Sequence, residues 1–131
     1  MTSLSDEAKR LLDAPEFATV ATIQPDGQPQ LSVVWVARDH DDVLISTIRG
    51  RRKAVNLERD PRASVLIYPA DSPYTYLEIR GSVTLEDDPT GALIQALNRK
   101  YTGGERYTGD DGTDHERVIV RVHPTNVHAH G

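Results

Sequence analysis

The chain has 131 residues, 37% hydrophobic and 27% charged, which is typical of one globular domain, and we predict a single domain over residues 1–131. The formal net charge of −5 argues against a general nucleic-acid or anionic-membrane binder, and the lack of cysteine excludes disulfides, thiolate metal sites and thiol nucleophiles. The start MTSLSDEAKRL lacks the apolar segment of a secretory signal, and no apolar run approaches the roughly 18 residues of a membrane span, so we expect a cytoplasmic protein.

The first half of the chain predicts two helices and three strands. SLSDEAKRLLD begins with capping-type residues and repeats apolar side chains on one face, so it predicts a helix that ends near Pro15. FATVATI and LSVVWVARD are rich in β-branched residues, and the Asp-Gly turn between them predicts a hairpin. VLISTI predicts a third strand, and residues 50–58 predict a helix that is stopped by Pro61.

The second half predicts three strands and one helix. RASVLIYP predicts the fourth strand, and YTYLEIRGSVTLED predicts a long fifth strand with Gly81 as a candidate bulge. In DPTGALIQALNRKY, Asp88 is the expected N-cap and Pro89 the first helical residue. The expected apolar face of this helix consists of Ala92, Leu93, Ala96 and Leu97. TGGERYTGDDGTD predicts a flexible polar loop, ERVIVRVHP the sixth strand, and TNVHAHG a short tail.

Consecutive hairpins with few short helices indicate a mainly β (α+β) fold, a six- to seven-stranded antiparallel sheet curled into a small barrel. The second strand is apolar on both faces, because residues 33–36 read Val-Val-Trp-Val. One face of such a strand lies inside a barrel, and the other requires cover from a helix or from another subunit. Since the chain has few helices, we expect a homodimer.

Four cations crowd the start of the second predicted helix, in the stretch STIRGRRKAV. A helix N-terminus already carries partial positive charge, so Arg and Lys are unfavourable there unless an anion binds. The hydroxyls of Ser46 and Thr47, at the end of the preceding strand, would share that anion with the helix N–H groups. This pattern favours a nucleotide-like or otherwise polyanionic ligand, and the alternative is a solvated charged patch.

Other candidate sites are weaker. His123, His128 and His130 do not have the spacing of zinc ligands, so we predict no metal site. Trp35 and Tyr68 are aromatic residues on strands, and core packing is the favoured interpretation for Trp35. No serine lies in a nucleophile-elbow motif, which argues against a hydrolase.

The string R-x-K-x-x-N-L-x-x-D-P-R-A, here RRKAVNLERDPRA, resembles a known family, as do the strands on either side of it. It is similar to the split β-barrel flavin and deazaflavin oxidoreductases of the pyridoxamine 5'-phosphate oxidase-like superfamily. Within that superfamily the chain most resembles the actinobacterial branch that depends on coenzyme F-420. The resemblance implies a split β-barrel homodimer with two cofactor sites at the subunit interface.

The resemblance also implies which residues contact the cofactor. These are Gln30, Ser32, Val34, Ser46, Thr47, Arg51, Arg52, Lys53 and Asn56. Arg51 and Lys53 match the residues that hold the cofactor phosphate, and the two strand-end hydroxyls line it. Asn56 matches the residue that braces the phosphate-binding helix, and the second-strand residues lie beside the tricyclic ring. Arg52 adds charge suited to the oligoglutamate tail of the deazaflavin.

The expected function is hydride transfer between coenzyme F-420 and a small conjugated organic substrate. One alternative keeps the fold and uses FMN, as an oxidase or reductase. Another is a non-catalytic carrier that binds the flavin or deazaflavin. The cofactor carries the chemistry in this class, so the sequence identifies no catalytic residue, and Tyr68 is only the nearest candidate for proton transfer.

Overall fold

The computed structural model describes residues 2–131, and its main feature is one seven-stranded antiparallel sheet. The helices are α1 (Asp6–Asp13), α2 (Arg52–Arg59) and α3 (Ala92–Thr102). The strands are β1 (Ala18–Ile23), β2 (Pro29–Val34), β3 (Ala37–Asp39), β4 (Asp42–Ile48), β5 (Arg62–Ile67), β6 (Leu77–Asp87) and β7 (Arg117–Ala129). The strand order is β2-β1-β5-β6-β7-β4-β3, so the sheet is not closed, and β2 and β3 are its edges. The predicted mainly β, antiparallel fold is confirmed, with seven strands.

Several local signals in the sequence correspond to structure. The Ser5 hydroxyl accepts a hydrogen bond from the Ala8 N–H at 3.1 Å and caps α1, and β1 and β2 form the predicted hairpin. The register of β6 against β7 shifts between Arg80 and Gly81, which confirms the bulge. Glycine is required there because a Cβ on Gly81 would overlap the carbonyl of His123.

The prediction of one continuous strand over LSVVWVARD is wrong. The chain leaves β2 after Val34, and β3 then pairs with β4 at the opposite edge of the sheet. At the break, the Val36 N–H donates to the Tyr101 hydroxyl at 3.0 Å, and the Val36 carbonyl accepts from Lys100 Nζ at 2.5 Å. Side chains of α3 therefore take the backbone hydrogen bonds that would continue a strand ladder.

Helix α3 begins at Ala92, three residues later than predicted. Gly91, in the left-handed conformation with φ +67°, is its N-cap, and the Asp88 carboxylate still accepts from the N–H groups of Ala92 and Leu93 at 3.2 and 3.0 Å. The buried face also differs from the prediction, since Ala92 and Ala96 are exposed. Its members are Leu93, Ile94, Leu97 and Asn98.

The prediction of a short C-terminal tail is also wrong, because β7 continues to Ala129 and pairs with β6 as far as Leu77.

One face of the sheet packs against α1 and α2 around a single apolar cluster that includes Leu12, Leu57, Val65 and Ile79. No helix within residues 2–131 is long and apolar enough to cross a membrane.

The outer face of the sheet carries an exposed apolar patch next to its β2 edge. Leu31 and Val33 on β2 are 63% and 70% exposed, and Leu66 on β5 is 36% exposed. Val33 and Leu66 both pair with Thr19 of β1, so they lie in one row across three strands. This patch is where the sequence predicts a second subunit, and that assembly stays a prediction.

Candidate functional site

A cleft of about 350 Å³ opens where the end of β4, the start of α2 and the β2 edge approach α3 and the loop before β7. Its lining combines apolar and aromatic side chains with cations and hydroxyls. The lining residues are Phe17, Val33, Val34, Trp35, Ser46, Thr47, Arg51, Lys53, Ile94, Leu97, Tyr107 and Arg117.

The cationic wall lies at the N-terminus of α2. Arg51 is the N-cap, makes no side-chain cap hydrogen bond, and is followed by a first turn without an acidic residue. Burial lowers the pKa of the half-buried Lys53 ammonium, and the neighbouring charge of Arg51 lowers it further. Among residues 2–131, no carboxylate forms a salt bridge with Arg51, Arg52 or Lys53. These cations therefore lack an internal counterion, which is what an anion-binding site requires.

Arg49, the fourth cation of the crowded stretch, has a different role. Its guanidinium contacts Asp87 at 2.5 Å and Glu116 at 3.3 Å, and it does not line the cleft. Arg49 is thus neutralised by Asp87 and Glu116. Arg51 and Lys53 line the cleft, and Arg52 is exposed outside it.

Three buried side-chain oxygens lack a hydrogen-bond partner within the described residues, and all belong to the predicted cofactor set. They are Ser32 Oγ, Thr47 Oγ1 and Asn56 Oδ1. An unsatisfied buried polar atom costs about 1–3 kcal/mol, so such atoms usually have a ligand or a structural explanation. Thr47 lies in the cleft beside the cations, where a phosphate oxygen or its hydration would satisfy it. The residues present therefore fit a phosphate-bearing cofactor.

The structure brings only some of the predicted site residues together. Five of them line the cleft: Val34, Ser46, Thr47, Arg51 and Lys53. Gln30, Ser32, Arg52 and Asn56 do not. Asn56 is buried behind the wall, where its Nδ2 donates to Thr22 at 3.1 Å and to Gln24 at 3.2 Å. It ties α2 to β1 and so sets the position of the cationic turn.

The wall opposite α2 was not found from the sequence. The Arg117 guanidinium donates to Asp110 through Nε at 2.8 Å and Nη2 at 3.0 Å, to the Tyr107 hydroxyl at 3.3 Å and to Ser46 Oγ at 3.4 Å. The two bonds from Arg117 to Asp110, together with the contact of His115, outweigh the effect of burial and lower the pKa of the Asp110 carboxyl to about 2. Burial would lower the pKa of Arg117, but the bonds and charge of Asp110 outweigh it and raise that pKa. The available signal was an Arg at the start of the valine-rich strand ERVIVRV.

The aromatic residues divide between the cleft and other sites. Trp35 stacks on Tyr101 with ring centroids 5.3 Å apart and also lines the cleft, so it contributes both to packing and to the wall of the cleft. Tyr68 lies in a different surface depression, with Leu66 and Tyr74. No group of three or more potential metal ligands occurs among the described residues.

Comparisons with known proteins identify the family of this chain. The family model described as pyridoxamine 5'-phosphate oxidase matches residues 4–131. A solved F-420 reductase is 34% identical with a TM-score of 0.84, and the match covers 95% of this chain and 98% of that chain. The conserved hypothetical protein Rv2991 from Mycobacterium tuberculosis is 29% identical with a TM-score of 0.77, over 97% of this chain and 84% of that chain.

A pyridoxamine 5'-phosphate oxidase-related, FMN binding protein from Nostoc punctiforme is 16% identical, with a TM-score of 0.62 over 86% of this chain and 72% of that chain. At that identity the likeness concerns the fold alone. The family match, by contrast, spans nearly the whole chain, including both walls of the cleft. The chain therefore belongs to the pyridoxamine 5'-phosphate oxidase family and has its split-barrel fold.

Proposed function

We propose that this chain is an oxidoreductase that uses coenzyme F-420 to transfer a hydride to a small conjugated organic substrate. The observation that carries the proposal is a pair of cations, Arg51 and Lys53, at a helix N-terminus beside the Thr47 hydroxyl. Within residues 2–131 these cations have no counterion and the hydroxyl has no hydrogen-bond partner. The proposal is supported by the 34% identity to an F-420 reductase over nearly the full chain.

The residues of the cleft suit the parts of such a cofactor. Arg51, Lys53 and the N–H groups of the first turn of α2 would hold the phosphate, and Thr47 would donate its hydroxyl. Val34 and Phe17 would offer apolar surface to the ring, which supplies the hydride when bound. The protein would orient the ring, exclude water and anchor the phosphate.

A long anionic tail favours the deazaflavin over FMN. FMN ends in one phosphate, which Arg51 and Lys53 are sufficient to hold. Arg52 lies next to them, exposed and without a salt bridge among the described residues, in a chain whose net charge is −5. A tail of several glutamates would give that cation a partner. FMN is the second candidate, because its single phosphate needs only the anchor that Arg51 and Lys53 offer.

We propose a homodimer in which the second subunit covers the apolar patch of Leu31, Val33 and Leu66. Val33 belongs to both the patch and the cleft, and Phe17, another cleft residue, is 61% exposed. The open side of the cleft is therefore continuous with the patch, and a subunit bound there would complete the walls of the cofactor site.

The test is a fluorescence titration of the apo-protein with coenzyme F-420 and with FMN, at low and at physiological salt. We expect tighter binding of the deazaflavin, by a margin that shrinks as salt rises because exposed tail contacts are screened. Arg52→Ala should reduce that margin and leave FMN binding unchanged, whereas Arg62→Ala, which removes a cation paired with Asp60, should change neither. Equal or tighter FMN binding at low salt would favour the second candidate. Oxidation of reduced coenzyme F-420 in the presence of enones separates an enzyme from a carrier.

A further inference from the structure

Tyr107 occupies a fixed position in the loop between α3 and β7. The amide of Gln95 on α3 holds both backbone groups of this residue: Oε1 accepts from the Tyr107 N–H at 2.8 Å, and Nε2 donates to its carbonyl at 3.0 Å. The flexible loop predicted from the sequence is thus tied to a helix at the point where it lines the cleft. A side chain fixed in this way is suited to contact a ligand in a defined geometry.

The Tyr107 hydroxyl is also oriented by its neighbours. Arg117 Nη2 donates to its oxygen at 3.3 Å, and the Arg117 guanidinium lies 5.3 Å from the centroid of the ring. Gly109 approaches the hydroxyl so closely that a Cβ on this residue would overlap it. Within residues 2–131 the hydroxyl accepts this one bond and donates none. Its proton is therefore available to a molecule in the cleft.

We propose that Tyr107 donates its hydroxyl proton to the carbonyl oxygen of the substrate. This inference rests on the proposed function, in which reduced coenzyme F-420 is the reductant. When a hydride adds to the β carbon of a conjugated carbonyl compound, its two electrons form the new C–H bond. The C=C electron pair then shifts toward the carbonyl carbon, and the C=O π pair moves to the oxygen. That oxygen takes the Tyr107 proton as the O–H bond of the tyrosine breaks, and water returns a proton to the phenolate.

The surroundings of Tyr107 suit this role. The phenolate formed in the step would lie against Arg117, whose Nη2 already donates to the same oxygen. Arg117 is paired with Asp110 through two hydrogen bonds, so the pair carries no net charge before reaction. Such a wall accepts a neutral carbonyl compound, whereas the unpaired cations of α2 attract anions. Tyr68, the candidate from the sequence, lies outside the cleft.

The experiment compares Tyr107→Phe with Tyr68→Phe, using 2-cyclohexen-1-one as the substrate. Binding of coenzyme F-420 to the wild-type protein is titrated first. If the wild-type protein does not bind it, the proposed function itself is refuted. For Tyr107→Phe we expect kcat to fall by about 10²-fold or more, as for the removal of a general acid, with KM and the cofactor Kd within about threefold of wild type. Tyr68→Phe should keep the wild-type kcat.

A second readout does not depend on turnover. In the complex with oxidised cofactor, the infrared C=O stretch of bound 2-cyclohexen-1-one should lie at lower frequency in the wild type than in Tyr107→Phe, because a hydrogen bond weakens the carbonyl bond. Gly109→Ala, which displaces the hydroxyl without removing it, should give an intermediate kcat. A wild-type kcat in Tyr107→Phe, or an unchanged carbonyl frequency, would overturn the inference.

Discussion

Replacing Lys53 by Met should have opposite effects on the apo-protein and on its complex. Because burial and the charge of Arg51 lower the pKa of Lys53, its protonated form is destabilised in the apo fold at neutral pH. Met keeps most of the length of the side chain and removes the charge. We expect the free energy of unfolding of the apo-protein to rise by about 0.5–1 kcal/mol, the lower part of the usual range for such gains, since the Lys53 side chain is only partly buried.

This gain converts to a measurable temperature shift. At about 2.1 cal/mol/K per residue, 131 residues give an unfolding entropy of about 0.28 kcal/mol/K, so Tm should rise by about 2–4 °C. The same substitution removes a charge-assisted contact to the cofactor phosphate that is worth about 1.5–3 kcal/mol. Cofactor Kd should therefore rise by about 10- to 150-fold.

Thermal unfolding with and without saturating coenzyme F-420 tests both effects, together with a fluorescence titration. The matched control is Arg62→Met, which removes a cation at the start of β5 that already has Asp60 as its partner. It should not raise Tm and should leave the cofactor Kd unchanged. A Lys53→Met protein that is less stable without cofactor and binds it as tightly as wild type would refute the assignment of Lys53 as an anion ligand.

Three further predictions concern assembly and pH. Sedimentation at micromolar concentration should give twice the 14.5 kDa chain mass, and Val33→Asp, which places a charge on the exposed patch, should give a monomer. The pKa of Asp110 is lowered to about 2, so its contribution to stability is present above about pH 4 and lost as the pH falls toward 2; Asp110→Asn should flatten that part of the stability curve. Burial lowers the pKa of Lys100 from 10.5 to about 8. The free energy of unfolding should therefore also increase with pH between about pH 8 and 10, and Lys100→Met should abolish this increase in a series of urea titrations.

Sequence patterns predicted the structure where local chemistry decides it. The Asp-Gly turn, the Ser5 cap and the bulge at Gly81 each depend on a few adjacent residues, and each is present. Pro89 was misleading because it has the right geometry to start a helix, but the chain turns once more at Gly91 before α3 begins. The Asp88 carboxylate still accepts from the first N–H groups of the helix, as expected of a capping residue, but it does so from three residues before the N-cap Gly91.

The errors occur where distant segments decide the structure. β2 ends at Val34 because Tyr101 and Lys100, on a helix far along the chain, take the polar groups of Val36. The cationic half of the cleft was visible as unfavourable charge at a helix N-terminus. The other half, formed by Tyr107 and Arg117, depends on how the loop before β7 folds back onto β4, and this packing leaves no periodic signal in the sequence.

The position of β7 has a consequence for how the chain folds. This strand is the last in the sequence, yet it lies between β6 and β4 in the sheet. β6 and β4 do not pair with each other directly. Until β7 pairs, the sheet consists of a four-stranded piece, β2-β1-β5-β6, and a separate β4-β3 hairpin, each with an unpaired edge. Pairings as distant as Val43 with Val122 form slowly, because a long loop must close first. Folding intermediates that lack β7 should therefore be the species most prone to aggregate through their open edges.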